Sequence, residues 1–304
     1  MSEAGDQNED SPEVAAMLDE YRELYRVYWN PAATQLRQLQ KVFEIGLIST
    51  DVERAAYRQV VQTFVTNVNS IREFLSFPYT LAGFAAHAGY FREPAPADAP
   101  PLESTEFMRA IAKSMRRPEV AAGLKQMSRQ AILLLWSAYE TFSRDIFIAA
   151  LNADAGLYAF VAESRFKEQF PASKFANLGV LQQHGYNISG RLGSILAEGR
   201  DFSSPKMLRE LLCVLFQSTT QAEQLQKCHQ DRALWLLGHR RHLIAHRLGI
   251  VDDQYIRDTG DSQPIGTPLH VNGDELLMAF LRVLEAAVIT IACAVQVSFI
   301  RRGD

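Results

Sequence analysis

Cysteine is scarce in this chain: there are three in 304 residues, Cys213, Cys228 and Cys293, with no Cys-x-x-Cys pair among them. An odd, scattered set excludes a disulfide framework and a zinc knuckle, so reduced thiols in a cytoplasmic compartment are expected. An excess of positive charge is missing as well. The 31 Lys and Arg stand against 35 Asp and Glu, a net charge of −4, so no global field draws in nucleic acid and any contact with a polyanion must be local. Met1 to Asp10 is acidic and polar where a secretory leader is basic and then apolar; a disordered tip of about 11 residues is the expectation. The one run that resembles a membrane span, Ala286 to Ile300, has 15 residues, is closed by Arg301 and Arg302 and is blocked upstream by Arg282 and Glu285. It falls short of the ~20 residues a crossing needs, so a buried bundle helix and no membrane are expected. Phosphate-cradling glycine motifs and Ser/His/Asp arrangements do not occur in the sequence, and no cofactor is expected.

What the chain has in abundance is helical periodicity, with 47% hydrophobic residues to fill a core. The pattern starts near Pro12 and runs through Tyr21, Leu24, Tyr25 and Tyr28; a second helix is expected from Ala32 to Gly46, and a third from Val52 to Leu75 with Val60, Val61, Phe64, Val68, Ile71 and Phe74/Leu75 on one face. Tyr21, Tyr25, Tyr28 and Trp29 read as a packing seam, with base stacking the alternative. Four prolines between Pro94 and Pro101 mark a linker. Residues 1–92 therefore form an N-terminal helical region able to bind a partner protein, 93–104 the linker and 105–304 a second helical domain. Glu103-Ser104-Thr105-Glu106 begins a short helix through Met115. Pro118 opens a long one to about Asn152, Phe160 to Phe170 reads as helical, and Ser203-Ser204-Pro205 caps a helix from Lys206 to Phe216. Between Gly249 and Gly273 turn formers abound, and a small β-hairpin is expected with Gln254 to Arg257 pairing with Pro268 to Val271. The fold class is all-α.

Chemistry concentrates in Gly238-His239-Arg240-Arg241-His242-Leu243-Ile244-Ala245-His246-Arg247-Leu248-Gly249. Ala233 to Leu237 lead into it as a helix, Leu243, Ile244 and Leu248 continue the apolar face, and Gly249 is the expected stop. From His239 to Arg247 there are three arginines and three histidines without a carboxylate. His242 and His246 are four apart and share a face, with His239 extending the row; Arg241 and His246, five apart, are separated by about 140° and flank it. A guanidinium shaped to grip phosphate beside an imidazole able to move a proton at neutral pH suits phosphodiester cleavage by a ribose 2′-hydroxyl, which needs neither an outside nucleophile nor a metal. Arg240 and Arg247, seven apart on one stripe, are expected with His239 to touch RNA backbone.

Arg241 to His246 resembles the Arg-x4-His signature of the HEPN superfamily, in which the residue after the arginine is commonly polar, as His242 is. The run Arg247 to Asp252 is similar to the segment after the motif in many members, Leu135 to Asp145 resembles the family's first long helix with its acidic residue, and the apolar helix from Leu276 to Phe299 sits where the closing helix belongs. The resemblance covers about the last two thirds of the chain. It implies a helical bundle that forms a homodimer with two motifs facing each other, and metal-independent endoribonuclease activity, often in toxins or effectors of bacterial anti-phage defence. By the same resemblance His246 is the general acid/base, Arg241 holds the scissile phosphate, His242 assists, and Glu140 orients Arg241. Other members are inactive and serve as dimerisation or protein-interaction modules. A subset paired with a nucleotidyltransferase antitoxin carries tyrosine two residues after the histidine, where this chain has Leu248.

Blander readings stay open. Arg241 can be a structural partner of Glu140 and His246 a buried core histidine, and His242 with His246 is half of a metal site for which no third ligand suggests itself.

Overall fold

A computed structural model describes residues 52–90 and 118–300, and these are mostly helical. The expected helices between Pro12 and Gly46, the tyrosine seam, the disordered tip, the proline-rich linker and the short helix through Met115 lie outside the described residues. The organising element is the long helix α2, Pro118–Ala153, with α1, Val52–Tyr90, against one side of it. Helix α1 lays down Tyr57, Val61, Phe64, Val65, Val68, Ile71 and Leu75, the spacing of a single apolar stripe, and all seven are buried. It runs 15 residues beyond the expected end at Leu75, and Phe74, expected on the buried face as an alternative to Leu75, is 39% exposed.

From Ala131 onward helix α2 is covered on most of its circumference, with Leu134, Ser137, Thr141 and Arg144 left as an exposed strip. Ala131, Ile132, Leu135, Trp136, Ala138, Tyr139, Phe142, Ser143, Ile146 and Phe147 are all buried, and the remaining helices wrap them. In order these are α3 (Tyr158–Ala162), α4 (Leu178–Gln183), α5 (Leu192–Ala197), α6 (Pro205–Leu215), α7 (Ala222–His229), α8 (Arg232–Arg247), α9 (Asp253–Thr259) and α10 (Gly273–Ile300). Helices α5, α6, α8 and α10 all touch α2. Helix α10 contains the uncharged run expected in the core, and Ala286, Ala287, Thr290, Ile291, Cys293 and Ala294 are buried there. It is long and apolar enough to cross a membrane, but 61% of its most apolar window is buried inside the protein.

Local chemistry sets the boundaries. Pro118 opens α2 and Pro205 opens α6, where a missing N–H costs nothing, and the Ser204 hydroxyl accepts from the Met207 N–H at 3.3 Å. Two expectations are corrected. Of Phe160 to Phe170 only the part to Ala162 is helical: Ser164 turns its hydroxyl to the Val161 carbonyl and accepts the Phe166 N–H, offering the backbone an alternative to the next helical turn. The β-hairpin is absent among the described residues. Gln254 to Arg257 lie in α9, whose first turn is capped by the Asp252 carboxylate accepting the Tyr255 N–H at 2.8 Å. Asp252-Asp253 is thus an N-cap followed by an acidic first turn, a helix-start signal. What remains of the expected pairing is one antiparallel bridge, Ile250 to Pro268.

Away from the motif, His229 sits sealed at the end of α7, 1% exposed, with Nδ1 2.9 Å from the Tyr139 hydroxyl and Nε2 buried without a hydrogen-bond partner among the described residues. Burial first, then nearby Arg209, lowers its pKa to about 4. The folded chain keeps this ring neutral where the unfolded chain protonates it, near pH 6.5. Stability is therefore complete above pH 6.5 and falls as pH drops from 6.5 toward 4, by up to about 3 kcal/mol. Thermal melts across that window should show the loss, and His229→Gln should flatten it; an equally steep slope in the variant would move the acid sensitivity elsewhere.

Candidate functional site

Helix α8 is fastened at both ends by its own sequence. The Asp231 carboxylate accepts the Ala233 N–H at 2.8 Å, and at the far end Leu248 and Gly249 adopt left-handed backbone, φ 54° and 73°, so that the Gly249 N–H reaches the Leu243 carbonyl at 3.2 Å. The last helical residue is therefore Arg247, with Leu248 as the C-cap and Gly249, the expected stop, just beyond it. Its middle is pressed against α6 and α2 at Gly238, where a Cβ would lie 2.6 Å from the Pro205 ring and 3.4 Å from Trp136. Only a hydrogen fits there, and this contact sets how deep α8 sits.

From that frame the motif side chains diverge. His242 and His246 are exposed, with ring centroids 4.5 Å apart and planes tilted by 48°. Arg241 points away from them toward α2, its Nη2 3.8 Å from the Glu140 carboxylate, both side chains about a quarter exposed at 23% and 26%. At that separation the pair attracts without a hydrogen bond. The same Glu140 oxygen accepts from the Trp136 indole N–H at 3.2 Å. Burial raises the Glu140 pKa, with Arg241 and the indole pulling the other way. A second carboxylate, Asp201, feels Arg241 too; the backbone and hydroxyl of Ser203 hold it below its usual range. Among the described residues no hydrogen bond or ion pair links Arg241 to either histidine.

The other motif residues split. His239 is half-buried against Trp235, ring centroids 4.3 Å apart, and burial lowers its pKa. Arg247 is 68% exposed, its Nε 3.3 Å from the Asp252 carboxylate. Arg240 is a correction: expected on an RNA-facing stripe with Arg247, it is 3% exposed and donates to Glu275 at 2.9 Å and to the Tyr255 hydroxyl at 3.3 Å, with Asp261 at 3.9 Å. Burial works against its charge, yet the bonds to Glu275 and Tyr255 raise its pKa. The two arginines do share a side of α8, but α9 and the start of α10 cover it at Arg240, while Arg247 lies at the helix end beyond that cover. Arg240 is a tie between three helices.

Sequence reasoning misses Asp201, Trp136 as a donor, and the Tyr139–His229 pair. Trp136 and Glu140 stand at i and i+4, a legible signal; Asp201 comes from a loop 40 residues away from Arg241 and leaves no trace. Among the described residues no three His, Cys, Asp or Glu side chains converge as a metal-binding group. No protein-family model, no curated protein and no solved structure matches the chain.

Proposed function

We propose that this protein is a metal-independent endoribonuclease of the HEPN type, a homodimer acting as a toxin or anti-phage effector, with Arg241, His242 and His246 as its site. One observation carries the reading: at the end of the motif helix two imidazoles lie side by side in solvent, and the neighbouring guanidinium is held by a carboxylate too distant to bond it. His246 takes the proton from the 2′-hydroxyl as O2′ bonds to phosphorus and the P–O5′ bond breaks. The departing O5′ takes its proton from an imidazolium, leaving a 2′,3′-cyclic phosphate and a 5′-hydroxyl. Arg241 turns from Glu140 to the phosphate and neutralises the charge that builds there, with His242 bonding alongside. The test is incubation of the purified protein with RNA in EDTA and identification of both product ends; no cleavage of any RNA sinks the reading.

A second reading, a catalytically inactive dimerisation or protein-interaction module, is favoured by the apolar side chains just past the motif, Leu248 at 85% and Ile250 at 39% exposure. The two readings part on the EDTA assay, because a module leaves RNA intact while still self-associating.

A further inference from the structure

Trp235, His239, His242 and His246 stand at successive steps of four, three and four residues, which confines four rings to an arc of about 60° on α8. They touch in pairs, Trp235 with His239 at 4.3 Å and His242 with His246 at 4.5 Å between centroids. The other sides of the helix are occupied: Leu234, Leu237, Gly238, Arg240, Leu243 and Ile244 are buried. The ring row is a solvent-facing strip, partly exposed at Trp235 and His239 and open at His242 and His246, with Arg232, Ala245 and Arg247 exposed beside it. Trp136, by contrast, is fully buried in the core, a cluster to which Trp235 does not belong. The strip itself carries no carboxylate, although Asp258 on α9 stands close enough to act on His239, and Arg241 and Arg247 project from α8 roughly 110–130° to either side of the strip's centre.

We propose that this row is a base-stacking track for single-stranded RNA, along which unpaired bases lie from Trp235 toward His246 so that the scissile phosphate reaches His246 and Arg241. The inference rests on the endoribonuclease reading and names its substrate class. The rings span 11 residues of helix, about 16 Å, room for a few nucleotides. Every base offers a π-face to an aromatic ring, so such a track accepts many sequences, whereas bases paired inside a duplex have no free face to offer. A convex helix strip suits a strand whose bases turn inward and whose phosphates turn outward.

The test uses the full chain in the His246→Ala background, so that RNA is not consumed, with a ten-nucleotide single-stranded RNA and the same RNA as a duplex. Emission lost in Trp235→Leu isolates the Trp235 signal from the other tryptophans. It should be quenched in a saturable way by the single strand and not by the duplex. In the otherwise native chain Trp235→Ala should raise KM roughly tenfold or more, the effect falling on KM more than on kcat, with Trp235→Phe recovering most of it. Cleavage by Trp235→Ala at native KM overturns the track and leaves the nuclease intact. Saturable quenching by a protein that cleaves no RNA upholds the track and removes the nuclease. A Trp235 signal that tracks protein concentration and ignores RNA overturns it too, because a second copy then covers the row.

Discussion

Replacing His246 with alanine should lower the proposed RNA cleavage by roughly 10²- to 10⁴-fold in kcat, the usual contribution of a positioned general acid or base. The side chain is exposed at the end of α8 and, among the described aromatic rings, touches only His242, so its loss removes almost no packing. Thermal stability should stay within about 0.5 kcal/mol of the native chain. That separation makes the experiment sharp: a large kinetic effect without a change in melting is the mark of a reacting group. On the proposed mechanism Arg241→Ala should cost about 10²- to 10³-fold, the loss expected for a charge assigned to the developing phosphorane. Arg241→Lys should recover little, because an ammonium lacks the planar fork that grips two phosphate oxygens. Glu140→Gln tests positioning. It keeps an acceptor for the Trp136 indole but drops the attraction on Arg241, so its effect should fall between native and Arg241→Ala. Cleavage in EDTA that is equal in native, His246→Ala and Arg241→Ala protein would remove both residues from the chemistry.

Gly193→Ala should be the most destabilising of these substitutions, by about 3–4 kcal/mol, through a mechanism unrelated to the site. A Cβ at residue 193 would lie 2.3 Å from the Ile148 carbonyl oxygen, 2.8 Å from its Cα and 2.9 Å from its carbonyl carbon. All three obstacles are backbone of α2, so neither a rotamer nor a flexible tip can yield. Helix α5 must lift off, with two consequences. Asn152 on α2 accepts the N–H of Gly193 at 2.8 Å and that of Ser194 at 3.2 Å, and its amide donates to the Ser194 hydroxyl at 3.0 Å; these bonds lengthen together. Ile195, Leu196 and Ala197, each no more than 1% exposed, lose their contacts against the core. A melting temperature lowered by roughly 6–15 °C is the expected reading. Gly123 on α2 is the control: nothing lies within 4 Å of a Cβ there. Gly123→Ala should stabilise by up to about 1 kcal/mol through helix propensity alone. A Gly193→Ala protein that melts with the native one would mean that α5 rides loosely on α2.

The elements legible in the sequence are those whose information is local. The opening of α2 at Pro118, the Ser204 cap of α6, the apolar face of α1 and the length of α10 are set by residues within a few turns of one another. So is the contact of His242 with His246, because a spacing of four on a helix brings two rings together whatever surrounds them. Where sequence pattern and structure part, two local codes compete. Asp252-Asp253 serves a turn and a helix cap equally well, and with few apolar residues between Gln254 and Arg257 periodicity has little to decide on.

By itself the sequence determined that the chain makes helices, which residues share a face on each, and that arginine and histidine crowd one of them. Only the tertiary structure decided which faces are covered. Arg240 and Arg247 carry the same charge on the same side of α8, yet one is sealed under α9 and α10 and the other stands in solvent. Asp201 is brought close enough to act on Arg241 across 40 residues of chain, and Gly193 is compelled by the backbone of Ile148. The reason is one of range: a helical repeat is set by bonds four residues long, whereas cover is supplied by whichever distant segment the packed core delivers to that place.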